Sequence, residues 1–124
     1  MGLHDREHVE VASASQLRTW FDKNHEQPDG VWIVTFKKTA GQPAPTYEEM
    51  VREALCFGWV DSMVARVDEL RTKTYFSPRR RKSPWSPSNR ARVEELVAQG
   101  MMHTHGLRAV DEAKANGTWP TTTA

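Results

Sequence analysis

Hydrophobic positions recur every three or four residues in four segments of this chain, which is the spacing of an amphipathic helix. Each segment follows a serine or threonine whose side chain can cap a helix N-terminus, and each stops near a proline or glycine. The predicted N-caps are Ser13, Thr46, Ser86 or Ser88, and Thr104. The pattern therefore predicts four helices, which end near Pro28, Gly58, Gly100 and Gly117.

Two further segments show the patterns of β-strands. Residues 31–36 are apolar on both faces and rich in β-branched side chains, as expected of a central strand. Residues 59–76 have the pattern of a hairpin that turns at Asp68 and Glu69. The predicted fold class is therefore α+β, with a small, mostly antiparallel sheet of about three strands packed with four helices.

The turn of the hairpin determines which side chains face each other. Asp61 is expected opposite Phe76, on a side of the hairpin that is apolar except for this carboxylate, Thr72 and Thr74. On the other side, Arg66 is expected directly opposite Arg71. Two facing cations destabilise a sheet unless an anion lies between them or the side chains extend into water.

Length and composition are typical of a single small globular domain. The chain has 124 residues, of which 38% are hydrophobic, and residues 1–12 and 119–124 are expected to be loosely ordered tails. It has no apolar stretch long enough to cross a membrane, and its N-terminus lacks a secretory signal, which predicts a cytoplasmic protein without membrane insertion. The single cysteine, Cys56, allows no internal disulfide and no cysteine-cluster metal site. It is expected to fill core space, since its apolar neighbours disfavour a thiolate.

Charge is distributed unevenly, although the net charge is only +1. Residues 66–92 hold nine of the 17 basic groups and two acids, so this segment is strongly positive and the remainder is negative. Such a division attracts anions to one region of the surface. Basic groups close to aromatic residues also permit nucleic-acid binding, but the low net charge and the absence of known recognition motifs argue against it.

Asp61 is the candidate catalytic residue. A carboxylate on the apolar side of a hairpin must be paired, because otherwise its pKa rises sharply. The more common explanation is a structural ion pair, here with Arg79 or Arg80. The alternative is a general acid or base, or a ligand-binding carboxylate.

The basic turn at residues 79–82 is the second candidate feature. Four consecutive cations are compatible with an ordinary solvated turn or with the capture of an anion, because guanidinium groups bind carboxylates and phosphates with paired hydrogen bonds. Ser86 and the helix N-terminus that follows would add backbone donors, and Trp85 would stack on a planar ligand or an arginine. His103 and His105 are expected to have surface or capping roles, so we predict neither a metal site nor a cofactor.

Several of these segments together resemble the YdeI/OmpD-associated, or bacteriocin-protection, family. The segments are residues 53–62 (EALCFGWVDS), 76–80 (FSPRR) and 85–86, followed by Asn89. The resemblance extends from about residue 13 to residue 119. It implies a bacterial protein linked to antimicrobial or stress protection, without an agreed reaction, cofactor or catalytic set. It also implies that one shared site contains Trp59, Asp61, Arg79, Arg80, Trp85 and Asn89.

Three functions follow from these observations. The first is a small binding protein for an anionic or planar organic molecule, with a site built from Trp59, Asp61, Arg79, Arg80, Trp85, Ser86 and Asn89. The second is a cofactor-independent enzyme, such as an isomerase, cyclase or hydrolase acting on a natural product, with Asp61 as general acid or base. The third is binding of nucleic acid or a partner protein through the basic hairpin residues Arg66, Arg71 and Lys73. Whether the chain forms a homodimer is left open.

Overall fold

The computed structural model describes residues 2–120. The strands are β1 (His8–Glu10), β2 (Val31–Phe36), β3 (Trp59–Arg66) and β4 (Arg71–Pro78). The helices are α1 (Ala14–Asn24), α2 (Tyr47–Cys56), α3 (Pro87–Ala98) and α4 (Thr104–Asn116), and short 3-10 turns occupy Leu3–Asp5 and Lys38–Ala40. The predicted α+β class with four helices is confirmed, and the sheet has four strands rather than three.

The fourth strand lies in the segment that was expected to be a loose tail. The sheet order is β1-β2-β4-β3, and β1 is parallel to β2 whereas the other pairs are antiparallel. Because β1 has only three residues, it gives no strand signal in the sequence. At the other end of the chain, Trp119 is buried rather than loose, and residues 121–124 lie outside the described part.

The hairpin contains a β-bulge that the sequence pattern did not reveal. Asp61 lies opposite Phe76 as predicted, but Met63 is the residue that faces the next position of β4, so Ser62 is an extra residue. Val64 consequently lies opposite Thr74. The bulge thus places Val64 on the same face of the sheet as Asp61, where a regular strand would have turned it to the other face.

The predicted pairing of Arg66 with Arg71 is wrong, because the bulge shifts the register. Arg66 lies opposite Thr72. Arg71 has two acidic partners, since its guanidinium donates to Asp68 at 2.8 Å and to Glu10 at 3.0 Å. The charge of Arg71 is therefore compensated by nearby carboxylates, and the two arginines do not face each other.

The helix N-caps agree with the predictions at three positions. The side chains of Ser13, Thr46 and Ser86 each accept a hydrogen bond from a backbone N–H in the first turn of the helix. For α4 the prediction of Thr104 is wrong, because the Nδ1 atom of His103 accepts from the backbone N–H of His105 at 3.0 Å. The expected capping role of the histidine pair thus falls to His103.

The helices cover one face of the sheet and enclose an aromatic core. Phe21, Phe57, Trp59 and Phe76 are almost completely buried, and the indole N–H of Trp59 donates to the backbone oxygen of His25 at 3.0 Å. Cys56 is also buried in this core, as predicted, and burial raises the pKa of its thiol. Within residues 2–120, every helix is too short or too polar to span a bilayer.

The N-terminal segment covers part of the opposite face of the sheet, over β2 and β4. The ring of His4 stacks parallel to Trp32 with 5.2 Å between ring centres, and the Trp32 indole N–H donates to the backbone oxygen of Leu3 at 3.0 Å. Beneath this segment, the Nζ atom of Lys73 lies 4.3 Å from the centre of the Trp32 ring and 3.1 Å from Nε2 of His8. Lys73 is thus a buried cation held by uncharged groups.

Candidate functional site

A cavity of about 630 Å³ lies between the helix-covered face of the sheet and the start of α2. Its floor is formed by β2, β4 and the edge strand β3, and its walls by α2 and the loop of residues 37–46. The loop is fixed at both ends: the Lys37 N–H donates to the backbone oxygen of Leu70 at 2.8 Å, and Thr46 caps α2. The loop that forms part of the cavity wall is therefore held in place at both ends.

Three threonines form the floor of this cavity. Thr35 on β2 lies directly opposite Thr72 on β4, and Thr74 follows two residues later on the same face. Thr35 and Thr74 are only 5% and 3% exposed. In the part of the chain that the structure describes, none of the three hydroxyls has a hydrogen-bond partner, and none is sealed from the cavity. Because these hydroxyls have no protein partner and open into the cavity, they are available to a ligand.

The walls of the cavity are largely apolar. Tyr47 and Met50 project from α2, whose start is fixed by the reciprocal capping of Thr46 and Glu49. Val64 projects from β3 on the opposite side, where the bulge places it. A flat molecule between these side chains would contact aromatic and aliphatic groups and would have hydroxyls along one edge.

Tyr47 connects the cavity with Asp61. Its hydroxyl donates a hydrogen bond to the Asp61 carboxylate, and burial together with this carboxylate raises the pKa of Tyr47 to about 12. Tyr47 therefore keeps its proton at neutral pH, and its ring is held at the mouth of the cavity. Asp61 is half-buried, and no ion pair with Arg79 or Arg80 forms within residues 2–120, so its predicted basic partner is replaced by a neutral one.

Two charged side chains line the cavity, and only one of them is neutralised. The Glu48 carboxylate accepts hydrogen bonds from Arg92 at 2.8 and 2.9 Å and from Arg52 at 2.8 Å. Chiefly because of Arg92, the pKa of Glu48 is lowered to about 2. Lys38 also lines the cavity and forms no ion pair with any residue between positions 2 and 120. Among the lining residues, Lys38 therefore carries the charge without a partner, while the Asp61 carboxylate, outside the lining, is bound to the neutral Tyr47 hydroxyl.

Arg79, a predicted ligand-binding residue, instead binds its own loop. Its guanidinium donates to the backbone oxygens of Ser83 and Pro84, each at 3.1 Å, and lies 3.8 Å from the centre of the Trp85 ring. Burial lowers the pKa of Arg79. These contacts close the proline-rich turn onto Trp85, which is itself buried in the core.

The other predicted site residues lie apart from the cavity. Arg80 is exposed, Ser86 caps α3, and the Asn89 side chain accepts a hydrogen bond from Arg92 at 2.9 Å. The two tryptophans of the predicted set are in the core, and no member of the set lines the 630 Å³ cavity. A shared ligand site formed by these residues stays a prediction.

The residues that do line the cavity were only partly visible in the sequence. Thr72 and Thr74 stood out as polar positions on an otherwise apolar strand face, which is the signal that could have located the floor. Tyr47 is the first residue of α2 and is nearly half exposed, so nothing in the sequence marks it as part of a cavity. Lys38 belongs to a loop that only the folded chain brings to the sheet.

A cluster of three histidines joins α1 to α4. The ring of His25 lies 4.7 Å from that of His103 and 4.9 Å from that of His105, measured between ring centres. Burial, followed by the proximity of His25, lowers the pKa of His105. Across residues 2–120, no set of three histidine, cysteine or acidic side chains is arranged to hold a metal ion.

Comparison with known proteins relates this chain to one family. Residues 9–109 match the family model described as "Domain of unknown function (DUF8412)". The matched region contains every residue that lines the 630 Å³ cavity. No curated protein and no solved structure matches the chain.

Proposed function

This chain belongs to the DUF8412 family, and we propose that it binds a small planar organic molecule, preferably one that carries a carboxylate, in the threonine-floored cavity. The observation that carries this proposal is the pair of hydroxyls of Thr35 and Thr74, which belong to side chains only 5% and 3% exposed, have no partner within residues 2–120 and remain accessible from the cavity. Because these hydroxyls open into the cavity, a ligand that donates to them or accepts from them can replace the water there, and the low exposure of both residues fixes where these hydrogen bonds form.

The size and composition of the cavity suit a small molecule. Its volume of about 630 Å³ lies within the roughly 300–1,000 Å³ range of small-molecule sites. Such sites combine apolar walls with a few polar groups that fix the orientation of the ligand. Here Tyr47, Met50 and Val64 form the apolar part, and the threonines form the polar part.

The charge of the lining favours an anionic group on the ligand. Glu48 is neutralised by two arginines, and Lys38 is the charged lining residue without an ion-pair partner within residues 2–120. The Asp61 carboxylate, which binds the Tyr47 hydroxyl outside the lining, opposes an anion and limits this preference. Lys38 is exposed at the mouth, so an ion pair there would contribute modestly to affinity. We therefore expect the planar body of the ligand to provide most of the affinity and a carboxylate to add a small part of it.

The pKa of Tyr47 and the position of Asp61 outside the cavity lining support binding rather than catalysis. A general acid or base works best when its pKa lies near the operating pH, and the pKa of Tyr47 is raised to about 12. Asp61 uses one carboxylate oxygen to hold this tyrosine and does not line the cavity. The pair has the properties of a support for the cavity wall.

The charge arrangement of the hairpin gives little support to nucleic-acid binding. Its three basic side chains already have partners: Arg71 contacts Asp68 and Glu10, and Lys73 contacts Trp32 and His8. Arg66 donates to the backbone oxygen of Asp68 at 3.2 Å. Phosphate binding needs exposed cations, because it proceeds with the release of condensed counterions. The hairpin is thus a poorer candidate than the cavity.

Binding of a planar compound would also suit a protective role. The resemblance to the YdeI/OmpD-associated family leads us to propose that the ligand is an antimicrobial or a stress metabolite that the protein sequesters. The test compares growth of a bacterial host under antimicrobial challenge with the wild-type chain and with Val64→Trp, which fills the cavity. Val97→Trp is the matched control, since Val97 on α3 is similarly exposed and lies away from the cavity.

The direct test uses 2-naphthoate and 2-naphthol as probes in calorimetric titrations. We expect both to bind, and 2-naphthoate to bind more tightly because of Lys38. Val64→Trp should abolish binding, and Thr74→Val should weaken it by about three- to tenfold through the loss of one hydrogen bond. Lys38→Ala should remove the preference for 2-naphthoate, whereas Lys23→Ala, at an exposed site on α1, should not.

Two outcomes would contradict the proposal. The first is that a folded wild-type chain binds neither probe. The second is that Val64→Trp and Val97→Trp bind both probes as well as the wild type, which would locate the binding elsewhere. Circular dichroism of each variant separates lost binding from lost structure.

A further inference from the structure

A second cavity, of about 280 Å³, lies beside the first. The two share two walls, Phe36 and Gln42, so they are neighbouring compartments on either side of these side chains. Gln42 is exposed and belongs to the loop between β2 and α2. Of the two side chains that separate the cavities, that of Gln42 is therefore the one that can move aside.

The second cavity offers hydrogen-bonding groups of both kinds. The Glu10 carboxylate uses one oxygen to bind Arg71 at 3.0 Å and keeps the other. The side-chain oxygen of Gln16 accepts the Ala12 N–H at 2.7 Å, which leaves the amide N–H groups of Gln16 unused within residues 2–120. The Gln42 amide likewise has no hydrogen-bond partner in the described chain. Both acceptors and donors therefore line one small space.

This chemistry fits hydroxyl groups better than a charged group. A hydroxyl both donates and accepts, so it can bind a carboxylate oxygen and an amide N–H at the same time. Within residues 2–120, no basic side chain lines the second cavity, and its single acid, Glu10, is already paired with Arg71. Val11 and Pro43 add an apolar surface, against which the C–H face of a sugar ring can pack.

We propose that the ligand consists of a planar ring joined to a sugar, with the ring in the first cavity and the sugar in the second. This inference rests on the proposed function, because it assumes that the first cavity holds the planar part. It adds that the second cavity selects a polyhydroxylated arm, as found in aryl glycosides and in nucleosides. Aryl glycosides and nucleosides both carry a polyhydroxylated sugar on a planar ring, and the experiment below distinguishes between them.

The test compares 2-naphthol with 2-naphthyl β-D-glucopyranoside, which differ only in the sugar. We expect the glucoside to bind the full wild-type chain about tenfold more tightly, since the sugar adds two or three hydrogen bonds. Ala12→Leu, which fills the second cavity, should cancel this gain and leave 2-naphthol binding unchanged. Should Ala12→Leu not fold, Glu10→Gln provides the same test by weakening the acceptor, with Glu94→Gln, at an exposed site on α3, as its control.

The outcomes distinguish this inference from the proposed function. If 2-naphthol binds but the sugar adds no affinity, the second-cavity assignment is overturned and the proposed function stands. If neither 2-naphthol nor its glucoside binds, both this inference and the proposed function are overturned. A parallel titration of adenine and adenosine identifies the class: a gain for adenosine that Glu10→Gln removes supports a nucleoside, and a gain limited to the glucoside supports an aryl glycoside.

Discussion

Asp61 on β3 accepts a hydrogen bond from the hydroxyl of Tyr47, the first residue of α2. The contact joins the edge strand to the helix on the two sides of the cavity. It also gives a function to a carboxylate that sequence reasoning singled out as a catalytic or ligand-binding group. In the folded chain, Asp61 positions the ring that forms the cavity wall.

We predict that Asp61→Ala weakens the binding of 2-naphthol by about three- to tenfold, because Tyr47 loses the hydrogen bond that holds its ring. The neutral probe is chosen since removal of a carboxylate would by itself favour an anionic ligand. Titration calorimetry provides the measurement, with Asp22→Ala on the exposed side of α1 as control. Unchanged affinity in Asp61→Ala would show that Tyr47 does not depend on this contact.

We predict that the loss of the Arg79 side chain destabilises the fold, whereas the loss of the neighbouring Arg80 side chain has little effect. Arg79→Ala should lower the free energy of unfolding by about 2 kcal/mol, because two hydrogen bonds from a charged donor and the contact with Trp85 are lost. Arg80→Ala should change it by less than about 0.5 kcal/mol, since Arg80 is exposed. Urea denaturation measures both. Equal effects of the two substitutions would mean that the turn is not held by Arg79.

Gly106 marks a close approach between α4 and the end of α2. A Cβ atom at this position would overlap the backbone carbonyl group of Cys56, and backbone atoms cannot move aside as a side chain can. We expect Gly106→Ala to destabilise the fold by about 2–3 kcal/mol through overpacking. The control is Gly2→Ala, where the added atom meets only an ordinary contact with Asp5. Thermal denaturation that leaves the two variants equally stable would contradict the observed approach.

Lys73 should be replaceable by an apolar residue of similar length. It is 7% exposed, and no carboxylate within residues 2–120 compensates its charge. Lys73→Met keeps the aliphatic contact with Trp32 and removes the cost of burying an ammonium group, so stability should be unchanged or higher by about 1 kcal/mol. Urea denaturation is the measurement, with Lys23→Met on the surface as control. A loss of more than about 1 kcal/mol would show that the charge itself is needed.

Glu48 should make the fold sensitive to acid. Its pKa is about 2 in the folded chain and 4.5 without its partners, so its contribution to stability is present above pH 4.5. The contribution is lost as the pH falls from 4.5 toward 2, because the unfolded chain takes up the proton first. Since the side chain is 47% exposed, we expect Glu48→Gln to cost only about 0.5–1 kcal/mol at pH 7. The difference from the wild type, measured by urea denaturation, should vanish near pH 2; a constant difference would exclude this mechanism.

The sequence allowed much of the fold to be predicted, because local signals decide it. Three of the four helix N-caps were identified from side chains that serve the first turn of their own helix. Asp61 was correctly placed opposite Phe76, since the pairing there follows from counting back from the turn. The short strand β1 was missed, because its stability comes from pairing with β2 and not from its own polar sequence.

The cavity was harder to predict, since it depends on contacts between distant segments. Thr35 and Thr72 are far apart in the chain and meet only when β2 pairs with β4. The bulge at Ser62 reverses the expected direction of Val64, and no residue type at that position indicates a bulge. The contacts of Arg79 with the backbone oxygens of its own turn were likewise not predictable, because sequence patterns do not display backbone acceptors.

The bulge at Ser62 should make the fold tolerant of a change in chain length. Strand β3 holds one residue more than its pairing with β4 requires, so a relative that has lost one codon between Asp61 and Val64 would keep both side chains facing the helices. Strand β4 pairs on both sides without such a spare residue, and a codon lost there would reverse every position beyond the deletion. Among relatives of this protein, single-residue gaps are therefore expected in β3 near the bulge and not in β4.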